Sequence, residues 1–382
     1  MALRGLINCA RNLPHDVNRA AIFRNALQSS CLQCRIGAKR HLLSEDVVKL
    51  QDFQQRKLAV AHQVSGSKDH YFDVLKQKME KNELILKDEL KLILHLCESS
   101  EDIVTARSAI YRYHEENRNV AFGEFKFGPL FMRLCYELGL EEMAATTLKD
   151  RMLKGFFSDS TSFNIAIDML FTKGCYERAL EVIAEMRNQG VSFNKDTFTL
   201  AFATCYKLNN AKSYHICLVL MEEGQTKGQL IPRHAYCFAI ALALRQNDVE
   251  RAQTIYSQIM STESRLCQNL RVLMLARGDS VKEALSILST AVVSRTPTFV
   301  KKPEFSQEVV QVLRERAVGG PLEERVEKVV KRLQQAGQVI SQSLDDLLCQ
   351  TPSGKRRPLG ILNESTNRRR TLRPLQSALL SE

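Results

Sequence analysis

Residues 161–195 read TSFNIAIDMLFTKGCYERALEVIAEMRNQGVSFNK, a stretch in which two short amphipathic helices follow each other. Apolar side chains in the first helix keep the i, i+4, i+7, i+8 spacing of one face, and Gly174 ends it. A second stripe follows and stops at Gly190. The stripes comprise Phe163, Ile167, Leu170 and Phe171, then Tyr176, Ala179, Leu180, Ile183 and Met186. Because two short helices cannot bury such faces alone, the pattern predicts stacking on similar neighbours.

The same pattern recurs along the chain. A second copy starts at Asp196, 35 residues after Thr161. About six helix pairs can be traced, with starts near residues 88, 126, 161, 196, 234 and 266. A period of this length is typical of stacked helical repeats. The sequence therefore predicts an all-α solenoid.

The segment from Ser162 resembles the pentatricopeptide repeat, a helix pair of about 35 residues found in mitochondria and plastids. The residues that carry the resemblance are Phe163, Asn164, Asp168, Gly174, Ala179, Leu180, Met186 and Gly190. The tetratricopeptide repeat has a similar length but begins with a tryptophan, which this chain lacks entirely. The resemblance implies a right-handed α-solenoid of about six helix-turn-helix repeats with helical caps.

The resemblance also implies which residues contact RNA. In the family, the fourth residue of a repeat and one just before the next repeat read one base of a single strand. Those positions hold Asn164 with Asn194, Thr199 with Pro232, Cys237 with Ser264, Gly128 with Asp159, and Asn269 in the last repeat.

The first of these pairs resembles family pairs that prefer pyrimidines, since two amides offer both donors and acceptors to a base edge. The other pairs depart from the family pattern, because Pro232 has no side-chain hydrogen bond to offer and Cys237 only a weak one. A purely structural alternative stays open, in which Asn164 bonds a neighbouring helix end.

The net charge of +11 comes from the two ends of the chain, because residues 1–43 carry +6, residues 350–382 carry +5, and residues 44–349 are neutral. The first segment is rich in arginine and has one amphipathic face, which is typical of a mitochondrial transit peptide. The alternative is a basic arm that stays attached. The last segment predicts either phosphate attraction or a solvated, disordered tail.

These observations divide the chain into five predicted segments. They are a transit peptide at 1–43, capping helices at 44–83, the repeat solenoid at 84–300, a helical cap at 301–349 and a basic tail at 350–382. Eleven cysteines are scattered singly, as expected of small apolar side chains in a reducing compartment. Cys31 and Cys34 lack the second pair that a zinc site needs.

The sequence contains no motif for catalysis, metal or phosphate binding, and no apolar run of about 20 residues that would span a membrane. We therefore expect no enzyme, no cofactor and no stable membrane insertion. The leading hypothesis is a protein of the mitochondrial matrix that binds single-stranded transcript segments. It would promote mRNA processing or stability, and so support the respiratory chain indirectly.

RNA-processing enzymes or the mitochondrial ribosome are the further partners expected. The neutral body favours an alternative from another class, a protein-binding helical scaffold, for example on the mitochondrial ribosome.

Overall fold

The structure is a computed structural model that describes residues 41–64, 66–117, 125–293 and 302–351. Most of the predicted transit peptide, the Cys31 and Cys34 pair and the carboxy-terminal arginines lie outside these residues.

The described part of the chain is almost entirely helical, with one two-stranded sheet. The helices are α1 (Glu45–Val48), α2 (Leu50–Gln63), α3 (Lys68–Glu80), α4 (Lys87–Leu96), α5 (Ser100–Glu116), α6 (Gly128–Leu138), α7 (Glu141–Lys149), α8 (Ser160–Lys173), α9 (Tyr176–Asn188), α10 (Lys195–Leu208), α11 (Ala211–Thr226), α12 (Arg233–Arg245), α13 (Val249–Ser257), α14 (Arg265–Arg277), α15 (Val281–Val293), α16 (Gln307–Ala317), α17 (Glu323–Gln335) and α18 (Leu344–Leu348). A 3-10 turn (Arg151–Leu153) follows α7, and the strands are β1 (Phe305–Ser306) and β2 (Val339–Ile340).

Six helix pairs begin within two residues of the predicted starts. Their first helices are α4, α6, α8, α10, α12 and α14, which start at residues 87, 128, 160, 195, 233 and 265. The all-α repeat solenoid predicted from the sequence is confirmed.

Helix ends follow the local signals of the sequence. The side chains of Asp159, Asn194 and Ser264 accept a backbone N–H in the first turn of α8, α10 and α14. Gly174 ends α8 at φ +83°, a left-handed conformation that favours glycine. Short loops between capped ends keep the two helices of a repeat side by side.

First helices pack on one another in sequence, from α4 through α14 to α16. From α8 onward, each second helix also packs on the first helix of its own repeat and of the next. Every residue at positions 162–171 and 197–206 is buried. A first helix of an open repeat would keep one exposed stripe, so these helices are covered on a further side.

Two terminal segments provide that cover. We call residues 41–63 the amino strap and residues 341–351 the carboxy strap. Within the amino strap, α1 packs on α8, and α2 packs on α4 and α6. In the carboxy strap, α18 packs on α12 and α14. The straps meet where Thr351 Oγ1 donates to the carbonyl oxygen of His41 at 2.5 Å.

The predicted transit peptide, residues 1–43, overlaps the folded body, because the structure packs residues 41–43 into it. Leu42 and Leu43 are 2% and 5% exposed. Their backbone N–H groups donate to Asp168 Oδ1 at 2.8 and 3.3 Å. The folded body therefore begins at or before His41, because later cleavage would leave a buried carboxylate without these donors.

Beyond the last repeat, α16 packs on α14, and α17 packs on α15 and α16. Parallel pairing of Phe305 with Val339 and Ser306 with Ile340 ties this end together. The sequence predicted only helices here, since strands of two residues are too short to show an alternating pattern.

Candidate nucleic-acid interface

The amides of Asn164 and Asn194 meet at the junction of two repeats. Asn164 Nδ2 donates to Asn194 Oδ1 at 3.0 Å, and Thr197 Oγ1 donates to Asn164 Oδ1 at 2.8 Å. Asn194 Oδ1 also caps α10 by accepting from Thr197 N at 2.9 Å. Asn194 Nδ2 donates to Ser160 Oγ at 3.0 Å. Both residues of the pair chosen from the sequence are thus held in one network.

The two amides differ in exposure. Asn164 is fully buried, whereas Asn194 is half-buried. Asn164 therefore presents no surface to a ligand in this arrangement. Its hydrogen bond to Asn194 fixes the position of the Asn194 side chain. The network has the form of the structural alternative weighed for Asn164, a bond to a neighbouring helix end. Whether either amide contacts a base stays a prediction.

Asn269, at the same position of the last repeat, is also buried and fully engaged. Its Nδ2 donates to the carbonyl oxygens of Arg265 at 2.8 Å and Glu304 at 2.9 Å, and its Oδ1 accepts from Ser306 N at 2.7 Å. The amide joins the last repeat to β1.

Thr199 and Cys237 occupy this position in the two repeats between. Thr199 Oγ1 donates to the carbonyl oxygen of Lys195 at 3.1 Å within its own helix. Cys237 is 1% exposed, and its Sγ lies 3.7 Å from Cys267 Sγ. Neither side chain offers a free polar group to a base.

Gly128 marks a close approach of α6 to α8. A Cβ at this position would overlap Ser162 Oγ, and it would lie 2.9 Å from Phe157 Cδ1 and 3.1 Å from Asp159 Oδ2. Asp159 itself caps α8, accepting from Ser162 N at 2.8 Å. This pair from the sequence is brought together, but by helix packing.

The remaining two positions are helix N-caps. Ser264 Oγ accepts from Cys267 N at 3.2 Å, and Pro232 precedes α12 in extended conformation. Pro232 supplies no side-chain cap, as the missing donor and acceptor of its ring require.

One rule covers three of these contacts. The fourth residue of a repeat touches the third residue of the next first helix, as in Asn164 with Thr197 and Cys237 with Cys267. Gly128 makes room for Ser162 in the same way. Sequence reasoning missed Thr197, although Asn194 and Thr197 have the spacing of a capping box and form one.

Charged side chains on the first helices hold the straps. Arg133 Nε donates to the carbonyl oxygen of Val48 at 2.5 Å, and Lys57 Nζ lies 2.6 Å from Glu137 Oε2. Asp168 Oδ2 lies 2.9 Å from His41 Nδ1. The amino strap is thus fixed by polar contacts along its length.

The carboxy strap is held by Lys207, whose Nζ lies 2.6 and 2.8 Å from the two oxygens of Asp345. Burial lowers the pKa of Lys207, but the hydrogen bond and the charge of Asp345 outweigh it and raise the pKa overall. Further along, His234 Nε2 lies 2.6 Å from the carbonyl oxygen of Leu348.

Within the described ranges, no group of three or more His, Cys, Asp or Glu side chains is placed to hold a metal ion. No helix in the same part of the chain is long and apolar enough to cross a membrane.

Known proteins are similar to this chain over more than half of its length. A family model described as "Mitochondrial 28S ribosomal protein S27" matches residues 15–227. "Pentatricopeptide repeat-containing protein 2, mitochondrial" of Danio rerio is 63% identical over 100% of both chains. The protein of that name from Homo sapiens is 49% identical, over 92% of this chain and 91% of its own.

A solved structure, the pentatricopeptide repeat protein PPR10 from maize, is 12% identical with a TM-score of 0.32, covering 85% of this chain and 57% of its own.

The stacked helix pairs, together with these relatives, identify a mitochondrial helical-repeat protein of the pentatricopeptide class. The chain belongs to the family of the mitochondrial pentatricopeptide repeat-containing protein 2, and also to the family that the ribosomal S27 model describes.

Proposed function

We propose that this protein binds a single-stranded segment of a mitochondrial transcript and promotes its maturation, through processing or stability, without catalysing a reaction itself. The observation that carries the proposal is the contact between Asn164 and Asn194 at 3.0 Å. These are the two residues that the family resemblance pairs for base reading, and they are neighbours although 30 positions separate them.

The two amides have different roles in this proposal. Asn194 is the half-buried member, so its Nδ2 can exchange the bond to Ser160 for one to a base edge. Asn164 positions the Asn194 carbonyl and contacts no base itself. A fixed amide binds a base at a lower entropic cost than a mobile one, because less side-chain freedom is lost on binding.

The remaining repeats add length more than specificity. About six repeats would accommodate about six nucleotides at one base each. Because the other four positions hold Gly128, Thr199, Cys237 and Asn269, whose polar atoms are absent or engaged, they offer little base discrimination. Impaired maturation would affect the respiratory chain indirectly, through its transcript-encoded subunits.

Asn194→Asp tests the proposal with little effect on folding. Aspartate keeps the cap on α10 and suits the helix N-terminus, but it cannot donate to a base. Asn210→Asp is the matched control, because Asn210 caps α11 with the same capping box. RNA crosslinked in mitochondria should show an altered base preference for the first variant and none for the second. Recovery of no RNA above background by the wild-type protein contradicts the proposal.

A second candidate is a protein-binding scaffold on the mitochondrial ribosome. The match of residues 15–227 to the ribosomal S27 model supports it, as does the cover that the straps place on the first helices. Sedimentation of mitochondrial extracts treated with a mild ribonuclease distinguishes the two. Co-migration with a ribosomal subunit that survives Asn194→Asp favours the scaffold.

A further inference from the structure

The carboxy strap lies across α10, α12 and α14. It is held there by apolar packing and by an ion pair. Leu344, Leu347 and Leu348 are 6%, 5% and 0% exposed, so the strap is seated by apolar packing. One carboxylate, Asp345, faces the first helices from within this apolar stretch and meets Lys207.

Asp345 is bound by two cations that belong to successive repeats. Lys207 lies in the last turn of α10 and Arg245 is the last residue of α12, and Arg245 NH2 lies 3.8 Å from Asp345 Oδ1. Asp345 is 38% exposed, Lys207 21% and Arg245 37%, so solvent screens the group only in part.

Arg245 is held in place independently of the strap. The guanidinium of Arg245 lies over the ring of Tyr206, with 3.9 Å between Cζ and the ring centroid. Its NH1 also donates to the carbonyl oxygen of Tyr206 at 3.4 Å. Removal of the strap would therefore leave Arg245 ordered beside Lys207, with no carboxylate between them.

A carboxylate held by a lysine and an arginine is the arrangement in which proteins also bind phosphate, since both anions accept from these donors. A phosphate group would therefore find the same two donors that now contact the Asp345 carboxylate. The strap has little helical structure of its own. Its helix α18 has only five residues, too few to persist when detached from the body.

We propose that Lys207 and Arg245 form a phosphate site for single-stranded RNA on the first helices, and that Asp345 of the carboxy strap is its internal competitor. This proposal rests on the proposed function. RNA binds when the strap leaves, and the strap returns when RNA dissociates. The apparent RNA affinity is then the intrinsic affinity multiplied by the fraction of molecules with an open strap.

Asp345→Ala weakens the strap and leaves both cations intact. We expect faster deuterium uptake by residues 343–351 and a Kd for a fluorescein-labelled oligouridine about fivefold lower than that of the wild type. Glu324→Ala is the control, because it removes the same charge from an exposed position on α17. It should change neither quantity.

Two further variants separate opening from binding. Leu348→Ala opens the strap from its apolar side and should also lower the Kd, provided that the circular dichroism spectrum is unchanged. Lys207→Gln should raise deuterium uptake without lowering the Kd, because it releases the strap and removes a phosphate contact together.

If both Asp345→Ala and Leu348→Ala raise deuterium uptake but leave the Kd unchanged, Asp345 is not a competitor of RNA. The proposal that the protein binds RNA is then unaffected. Unchanged uptake in both overturns it as well, since Asp345 and Leu348 would then not control the strap. Absence of RNA binding by every protein, including the opened variants, contradicts both the phosphate site and the proposed function.

Discussion

Asn164 donates from its side-chain amide to the side-chain oxygen of Asn194 at 3.0 Å, across the junction between two repeats. The bond joins the middle of one first helix to the cap of the next. It therefore links the internal geometry of a repeat to the start of its neighbour.

Asn164→Ala should lower the free energy of unfolding by about 1–3 kcal/mol, because Thr197 and Asn194 lose a buried partner. Urea unfolding measures the change. Thr199→Ala is the matched control at the same repeat position. It should cost clearly less, since Thr199 bonds only within its own helix. Equal losses for both variants would contradict the special role of the Asn164 network.

Deletion of residues 1–43 from the amino terminus should destabilise the protein more than deletion of residues 1–40. The longer deletion removes two buried leucines, Leu42 and Leu43, each worth about 1.5–3 kcal/mol. It also removes two N–H donors from Asp168. Thermal unfolding of the two truncated proteins should differ by several degrees, and coincident curves would show that residues 41–43 are dispensable.

Gly128→Ala should destabilise by about 1–3 kcal/mol, because a methyl group there overlaps Ser162 and the ring of Phe157. The backbone of Gly128 is helical, so the loss reflects close packing and not backbone strain. Gly278→Ala is the control, since its nearest neighbour, Val249 Cγ1, is 3.3 Å away. Urea unfolding compares the two, and a stabilising effect at Gly128 would contradict the close approach of α6 and α8.

Stability should fall as the pH drops below about 6.5, because two buried histidines resist protonation. Burial lowers the pKa of His95 and of His234, opposed in each by a bond to a backbone carbonyl oxygen. Between the folded and unfolded pKa values the unfolded chain binds more protons, so this stability is present above about pH 6.5 and is lost below it.

His234→Gln should reduce that pH dependence, since glutamine can still donate to Leu348 but does not titrate. His62→Gln, at an exposed position of α2, serves as the control. Urea midpoints at about pH 7.5 and about pH 5.5 provide the comparison. A wild-type midpoint that stays constant or rises on acidification would refute the expectation.

The repeat starts were predictable because they depend on local signals. Caps such as Asp159, the glycine at Gly174 and apolar spacing all act within a few residues. The environment of Asn164 was not predictable in the same way. Its burial depends on how closely α10 packs against α8, a distance that the residues of one repeat do not determine.

The straps could not be predicted from helical spacing, because their contacts join distant parts of the chain. Asp168 meets Leu42 across 126 positions, and Lys207 meets Asp345 across 138. A charged residue in an apolar first helix resembles an ordinary solvated residue until its partner is known. Only the tertiary structure reveals that the straps contact these side chains.

The contact between Thr351 and His41 has a consequence for how this molecule melts. Linear repeat arrays lose their outermost units first, since a terminal unit has a single neighbour to support it. Here the two terminal straps are joined to each other at that contact, so the repeats near both ends of the array have additional support. Unfolding should then be closer to all-or-none than the number of repeats alone would suggest. Loss of the contact between Thr351 and His41 should restore stepwise unfolding from the ends.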